Sequence, residues 1–267
     1  MNGLSTPLVV DVDGDLSYDY VYAGDLLGNL WKFDLSDTSP DNWNVSYSRT
    51  PLYTAYSPTD ARQPITTKPS IIRHPDGGHI ILFGTGKYFE DGDDIVTPPV
   101  QINSFYGIRD QGAPVPSVRF RSLPNALSSS QPNNTLQPQS IIEENLELFG
   151  SEMQSTRTIT SHVVDYAIQK GWYLDLVSPV EGSEGERVIG SPVVSITDRN
   201  DPLILFNSFI PSEGCESAGG RSILFALDPV NGARTDHAVF DLNEDGEYND
   251  AAGQESEDEN EQYRHDS

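Results

Sequence analysis

Asp241, Asn243, Asp245 and Asn249 stand at positions 1, 3, 5 and 9 of one short stretch, Asp241-Leu242-Asn243-Glu244-Asp245-Gly246-Glu247-Tyr248-Asn249. Oxygen side chains at that spacing can converge on a hard divalent cation, because alternate residues of a tight loop point inward around one ion. Gly246 holds position 6, where a loop of this type turns sharply, and Glu247 at position 7 offers its backbone carbonyl. Position 12 is Ala252, so the bidentate glutamate of an EF-hand is missing, and water or Asp250 completes the shell. The expected ion is calcium. Magnesium sheds its water reluctantly and prefers fewer protein ligands. The plain alternative is an acidic turn without an ion.

A second loop has the same spacing. In Asp11-Val12-Asp13-Gly14-Asp15-Leu16-Ser17-Tyr18-Asp19, aspartates hold positions 1, 3, 5 and 9, and Ser17 holds the backbone position. It resembles the calcium loops of integrin-type propeller repeats. Its glycine is at position 4 instead of 6, so it ranks as the second possible metal site, with an Asp-rich turn between Val10 and Tyr20 as the alternative. Charge alone would reverse that order, but a cation gains little from carboxylates that the backbone cannot converge upon it. Glu90-Asp91-Gly92-Asp93-Asp94 is acidic without the alternation and reads as a solvated turn.

Other chemistries find little footing. The histidines at 74, 79, 162, 237 and 265 lack zinc spacing, and no serine sits in a nucleophile elbow. Gly84-Thr85-Gly86-Lys87-Tyr88 lacks the spacing of a phosphate loop. Asn44-Val45-Ser46 and Asn133-Asn134-Thr135 match glycosylation sequons, which say little by themselves. The net charge is −25, from 16 basic and 41 acidic residues, which repels nucleic acid and anionic membranes and attracts cations. The single cysteine, Cys215, excludes an internal disulfide framework. No run of 18 apolar residues is present, which rules out a transmembrane helix, and the first residues do not form a signal peptide.

The elements that would hold these loops are short strands between turn clusters. Pro7–Val10, Tyr20–Asp25 and Asn29–Leu35 flank the first acidic loop and a hairpin turn at Asp25–Gly28. Further strands are expected at Ile65–Ile72, His79–Phe83, Ser104–Ile108, Arg157–Val164, Gly171–Leu176, Pro192–Thr197, Pro202–Phe209 and Arg221–Leu227. Residues 112–140 are poor in order-promoting residues, with Ser128–Asn134 reading as a surface loop, and Ile141–Phe149 reads as either a short helix or a strand. A weak repeat relates Gly24–Asp34 to Gly219–Asp228, each a glycine turn followed by an apolar–aromatic strand ending in Asp. The expected architecture is all-β, a partial β-propeller over residues 1–253, with an irregular sandwich as the alternative and an acidic, disordered tail at 254–267.

Several stretches together resemble the C-terminal β-propeller of the type IV pilus family PilY1/PilC. They are Gly24-Asp25-Leu26-Leu27-Gly28-Asn29-Leu30-Trp31-Lys32-Phe33-Asp34, Phe83-Gly84-Thr85-Gly86-Lys87-Tyr88, Ser104–Ile108, Gly171–Leu176, Gly185–Val188 and Phe240–Gly246. The resemblance implies a quinoprotein-like, non-catalytic propeller that supports pilus assembly, balances extension against retraction, and adheres to surfaces. It implies pilins and host or abiotic surfaces as partners, and a place at the bacterial cell surface reached through the periplasm. It also implies a longer protein, of which this chain is a fragment, and a lost partner for Cys215. The family's calcium loop, Asp-x-Asn-x-Asp-x-x-x-Asp, is matched by Asp241, Asn243 and Asp245, with Asn249 in place of the last Asp. The rival readings are a quinoprotein dehydrogenase and a generic extracellular calcium-binding module. One cysteine and only Trp31, Trp43 and Trp172 argue against the dehydrogenase, since such enzymes resemble one another in an adjacent cysteine pair and stacked tryptophans.

Overall fold

The computed structural model describes residues 2–115, 135–149, 152–196, 201–212, 220–237 and 239. These residues form a nearly all-β arc of successive sheets. The first sheet runs in the order β1 (Leu8–Val10), β2 (Tyr20–Gly24), β3 (Asn29–Asp34), β4 (Asn44–Val45), all antiparallel, with β5 (Tyr53–Thr54) on the other half of β3. The second contains β6 (Ser70–Arg73), β7 (His79–Gly84), β8 (Ser104–Asp110), then β12 (Gln169–Asp175), which pairs in parallel with β9 (Thr135–Gln139). Between β9 and β12 the chain makes a separate ribbon, β10 (Ile141–Phe149) with β11 (Glu152–Ile159). The third sheet is β13 (Val193–Ile196), β14 (Pro202–Pro211) and β15 (Gly220–Leu227).

Three expectations change. Ile141–Phe149 is a strand. The strand expected at Arg157–Val164 ends at Ile159 and begins at Glu152. Thr135–Gln139, in a stretch read as poor in order-promoting residues, is a strand set by its parallel pairing with β12, and Gln139 anchors its end by donating through Nε2 to the carbonyls of His162 (2.7 Å) and Asn231 (2.8 Å). The tail from Gln254 and Cys215 lie outside the described residues.

The middle strands of the second sheet are buried on both faces, which explains the apolar run Ile80–Phe83 in β7. Successive side chains of a strand alternate. Ile81, Phe83, Tyr106, Ile108 and Tyr173 therefore pack with Tyr22, Leu30, Leu52 and Ile65 of the first unit. Ile80, Leu82, Phe105, Trp172 and Leu174 turn the other way, onto Ile204, Phe206, Phe225 and Leu227 of the third sheet. There Phe105 stacks on Phe206 at 3.9 Å, and Phe206 on Phe225 at 4.8 Å. Trp172 is fully buried and donates its indole N–H to the Pro229 carbonyl. Glycine is required on either side of it, since a Cβ at Gly107 or Gly232 would collide with the indole ring.

A buried charge joins the first and second sheets. Lys32 Nζ lies 2.8 Å from Asp110 Oδ2, with both side chains more than nine-tenths buried. Tyr22 and Tyr47 also donate to this carboxylate, each at 2.7 Å, and the Gly112 N–H donates at 2.9 Å. The Lys32 ammonium sits 3.7 Å from the Tyr20 ring centre. Burial alone would raise the Asp110 carboxyl, but the bonds from Lys32, Tyr47, Gly112 and Tyr22 outweigh it and hold the group below its ordinary range. Burial beside this carboxylate pushes the Tyr22 and Tyr47 hydroxyls well above theirs.

The first and third sheets are apolar on their outer faces as well. In the first, Val9, Val21 and Phe33 are cross-strand neighbours on the face away from Tyr22, and Val9 is exposed. In the third, Val193 and Leu205 are paired, and Val193 and Leu224 remain more than half exposed. Sheets of a propeller cover each other on such faces.

Removing Lys32 leaves Asp110 buried without its cation. Lys32→Met should therefore destabilise the fold by about 3–5 kcal/mol, read as a lower urea midpoint at unchanged m-value. The depressed Asp110 carboxyl also sets an acid limb. Its stabilising contribution is complete above the unfolded value of 3.8 and is lost as pH falls from there through the folded value. Urea midpoints measured between pH 5 and pH 2 should fall, and Asp110→Asn should flatten that slope.

Candidate metal site

Residues 11–19 connect β1 to β2, whose last pair is Val10 with Tyr20, so the acidic loop closes a hairpin. The closure is made by carboxylates that accept backbone N–H groups. Asp11 accepts from Gly14 (2.7 Å) and Leu16 (2.9 Å), Asp13 from Asp15 (3.1 Å), and Asp15 from Ser17 (2.7 Å). Asp19 reaches back to the Val12 N–H at 2.7 Å, while its own N–H donates to the Val10 carbonyl at 2.9 Å. The chain thus winds around its own aspartates, and one oxygen each of Asp11, Asp13 and Asp15 falls within 4.8 Å of the others. Oxygens on opposite sides of a calcium ion are about 5 Å apart, twice a bond of ~2.3–2.6 Å, so this donor set fits that ion.

The turn at position 6 is present although glycine is not. Leu16 adopts φ 74°, the left-handed conformation expected of a glycine there, and Gly14 adopts φ 81°. The ground for ranking this loop second, that its misplaced glycine prevents convergence, is therefore corrected. Leucine takes the turn at a strain of ~1–2 kcal/mol, and the backbone bonds to Asp11 hold it. Asp11, Asp13 and Asp15 are brought together, Asp19 staples the two ends of the loop, and Ser17 lies in the loop with its N–H on Asp15. The other loop, Asp241, Asn243, Asp245, Glu247 and Asn249, lies outside the described residues.

The remaining acidic clusters have structural work. Asp25 is fully buried and accepts from Asn2 Nδ2, the N–H groups of Leu27 and Asn29, Asn29 Nδ2 and Trp31 Nε1. Burial would raise its carboxyl, but the bonds from Asn2, Asn29 and Trp31 lower it. In the Glu90–Asp94 turn, Asp93 accepts the N–H groups of Phe89 and Glu90, and Lys87 pairs with both Glu90 and Asp93. Sequence reasoning missed the Lys32–Asp110 pair, whose members lie 78 residues apart with no local pattern joining them.

Successive sheets that share apolar faces, with an Asp-x-Asp-x-Asp hairpin loop in the first, have the build of a β-propeller unit. The family model for the PilY1 beta-propeller domain matches residues 1–149. The chain belongs to this family. It is 34% identical over 238 residues to a type IV pilus biogenesis factor PilY1 homolog of Xylella fastidiosa, covering 86% of this chain and 14% of that protein. It is 31% identical over 281 residues to the type IV pilus biogenesis factor PilY1 of Pseudomonas aeruginosa, covering 92% and 23% respectively. The crystal structure of the Pseudomonas aeruginosa PilY1 C-terminal domain superposes with a TM-score of 0.73 at 31% identity, over 92% of this chain and 50% of that one. The chain thus spans under a quarter of the length of these full-length relatives.

If Leu16 is strained, glycine should relieve it. Leu16→Gly should raise stability by up to ~1 kcal/mol, the left-handed strain removed less the added chain entropy of glycine. Thermal melts of the two proteins in chelator check this, and a lower melting temperature for Leu16→Gly would count against the strain.

Proposed function

We propose that this chain is a calcium-binding, non-catalytic propeller unit of a type IV pilus-associated protein, supporting pilus assembly, the balance of extension and retraction, and surface adhesion. The observation that carries the reading is the likeness to the PilY1 C-terminal domain over 92% of the chain, joined to a hairpin loop whose aspartates already converge. Its partners on this reading are pilins and the surfaces a pilus meets, and its place is the cell surface. Among the described residues no helix is long and apolar enough to cross a membrane. The tryptophans give a quinone-binding alternative no support. Trp31 is tied to Asp25, Trp172 is fully buried between glycines, and Trp43 is bonded to the Asp37 carbonyl.

Calcium is the proposed ion for both acidic loops. Carboxylates gathered within 4.8 Å repel one another, and a cation that binds only the folded loop offsets that repulsion. At a free concentration 100-fold above Kd the stabilisation is about 2.7 kcal/mol. Melting in millimolar calcium should therefore exceed melting in chelator, and equal values would contradict the reading. By calorimetry, Asp15→Ala should delete one binding event and Asp245→Ala another, with affinities around 10⁻⁶ to 10⁻³ M because neither loop has a bidentate glutamate.

The pilus role is tested in the organism that encodes the chain. Deleting the propeller should reduce surface pili and twitching, and the intact chain restored in place should recover both. Pili of normal number and motility after deletion would refute the role.

A further inference from the structure

We propose that the acidic-loop end of the first sheet is a docking surface for a basic polypeptide segment that carries apolar side chains. The pairing Val10–Tyr20–Asp34–Asn44 brings two connections to the same end of the sheet, residues 11–19 and 35–43. They are tied together where the Leu35 N–H donates to the Asp19 carbonyl at 2.7 Å. On them stand three large apolar side chains that the fold leaves in water: Leu16 (95% exposed), Tyr18 (60%) and Trp43 (47%).

Leu16 is poorly explained by folding. Its side chain buries almost nothing, and its backbone holds a left-handed conformation that glycine would take without strain. A leucine that weakens its own loop and packs on nothing belongs to a surface that acquires its packing from another molecule. Tyr18, two residues on, and Trp43, held by its indole bond to the Asp37 carbonyl at 2.9 Å, stand exposed at the same end of the sheet and are of the residue types that anchor interfaces.

The charge around them selects the partner. Segments 11–19 and 34–45 carry seven aspartates (11, 13, 15, 19, 34, 37 and 41) and no lysine or arginine. A bound dication would leave five of those seven negative charges uncompensated. A second copy of this chain, itself at −25, is repelled, as is an anionic lipid surface. A basic segment is attracted, and its apolar side chains cover Leu16, Tyr18 and Trp43. The proposal goes beyond the calcium reading and stands whether or not the loop takes up an ion.

The test uses the full chain and two synthetic peptides of equal length and charge, one alternating Lys and Leu, the other Lys and Ser. Binding is measured by calorimetry and by intrinsic tryptophan fluorescence, to which Trp43 contributes with Trp31 and Trp172, in chelator and again in calcium. The Lys-Leu peptide should bind at least ~10-fold more tightly than the Lys-Ser peptide. Leu16→Ser and Tyr18→Ser should each weaken it by about 5-fold or more, and Asp37→Asn with Asp41→Asn should lower its salt dependence. Leu16→Gly separates folding from docking, because it should melt no lower than the parent yet lose the same binding as Leu16→Ser. Equal affinity for the two peptides, or Lys-Leu affinity untouched by Leu16→Gly and Tyr18→Ser, overturns the proposal. Absent calcium binding with these peptide effects intact would refute the metal reading alone.

Discussion

The arc holds together because one carboxylate was buried where two sheets meet. Asp110 ends β8 in the second sheet, and its partners Tyr22 and Lys32 lie on β2 and β3 of the first. An isolated charge in such a place would be expelled or neutralised. Four donors of different origin, an ammonium, two phenols and a backbone N–H, instead define one position for it. Apolar contacts alone tolerate sliding of one sheet over the next, whereas this site accepts a single register. The acidic loop inherits that register, because β2 carries Tyr22 inward and begins where the loop ends.

The seam between the second and third sheets works differently. It is aromatic, with Phe105, Phe206, Phe225 and Trp172 in nearly parallel stacks and a single indole hydrogen bond to the Pro229 carbonyl. At the margin of this seam Arg157 is buried and makes paired bonds to Glu186 at 2.9 and 2.8 Å, with Glu144 at 3.1 Å. That cluster fastens the foot of the β10–β11 ribbon to the segment preceding the third sheet. One seam is thus positioned by charge at its centre, and the other by shape at its centre and charge at its edge.

What the residues declared in advance follows from how local each cause is. The strands at His79–Gly84 and Ser104–Asp110 are legible because burial on both faces selects the apolar runs Ile80–Phe83 and Phe105–Ile108. The turn at Asp25–Gly28 is legible because Gly28, at φ 77°, supplies a local necessity. Thr135–Gln139 was illegible, since Gln137-Pro138-Gln139 carries no strand signal and the strand is imposed by its pairing with β12 and by carbonyls at His162 and Asn231. In the acidic loop the aspartates were readable from spacing alone. The position of the turn was not, because Leu16 takes a conformation that its side chain disfavours and that only the surrounding hydrogen bonds dictate.

The β10–β11 ribbon has a kinetic consequence. β9 and β12 are parallel neighbours, yet their paired positions lie 34–35 residues apart in the chain, such as Gln137 and Trp172. A parallel pair must wait for its crossover to close, and closing a long loose segment is slow. The ribbon's own strands pair locally around a short connection, in register from Glu143–Thr158 to Phe149–Glu152. Hairpins of this kind form in about 1–10 μs. Once formed, the ribbon brings Ile141 opposite Ile159, so the span left to close shrinks to the few residues between Ile159 and Gln169. A segment that looks like an appendage to the folded sheet is, during folding, the shortcut by which its parallel strand pair can find itself.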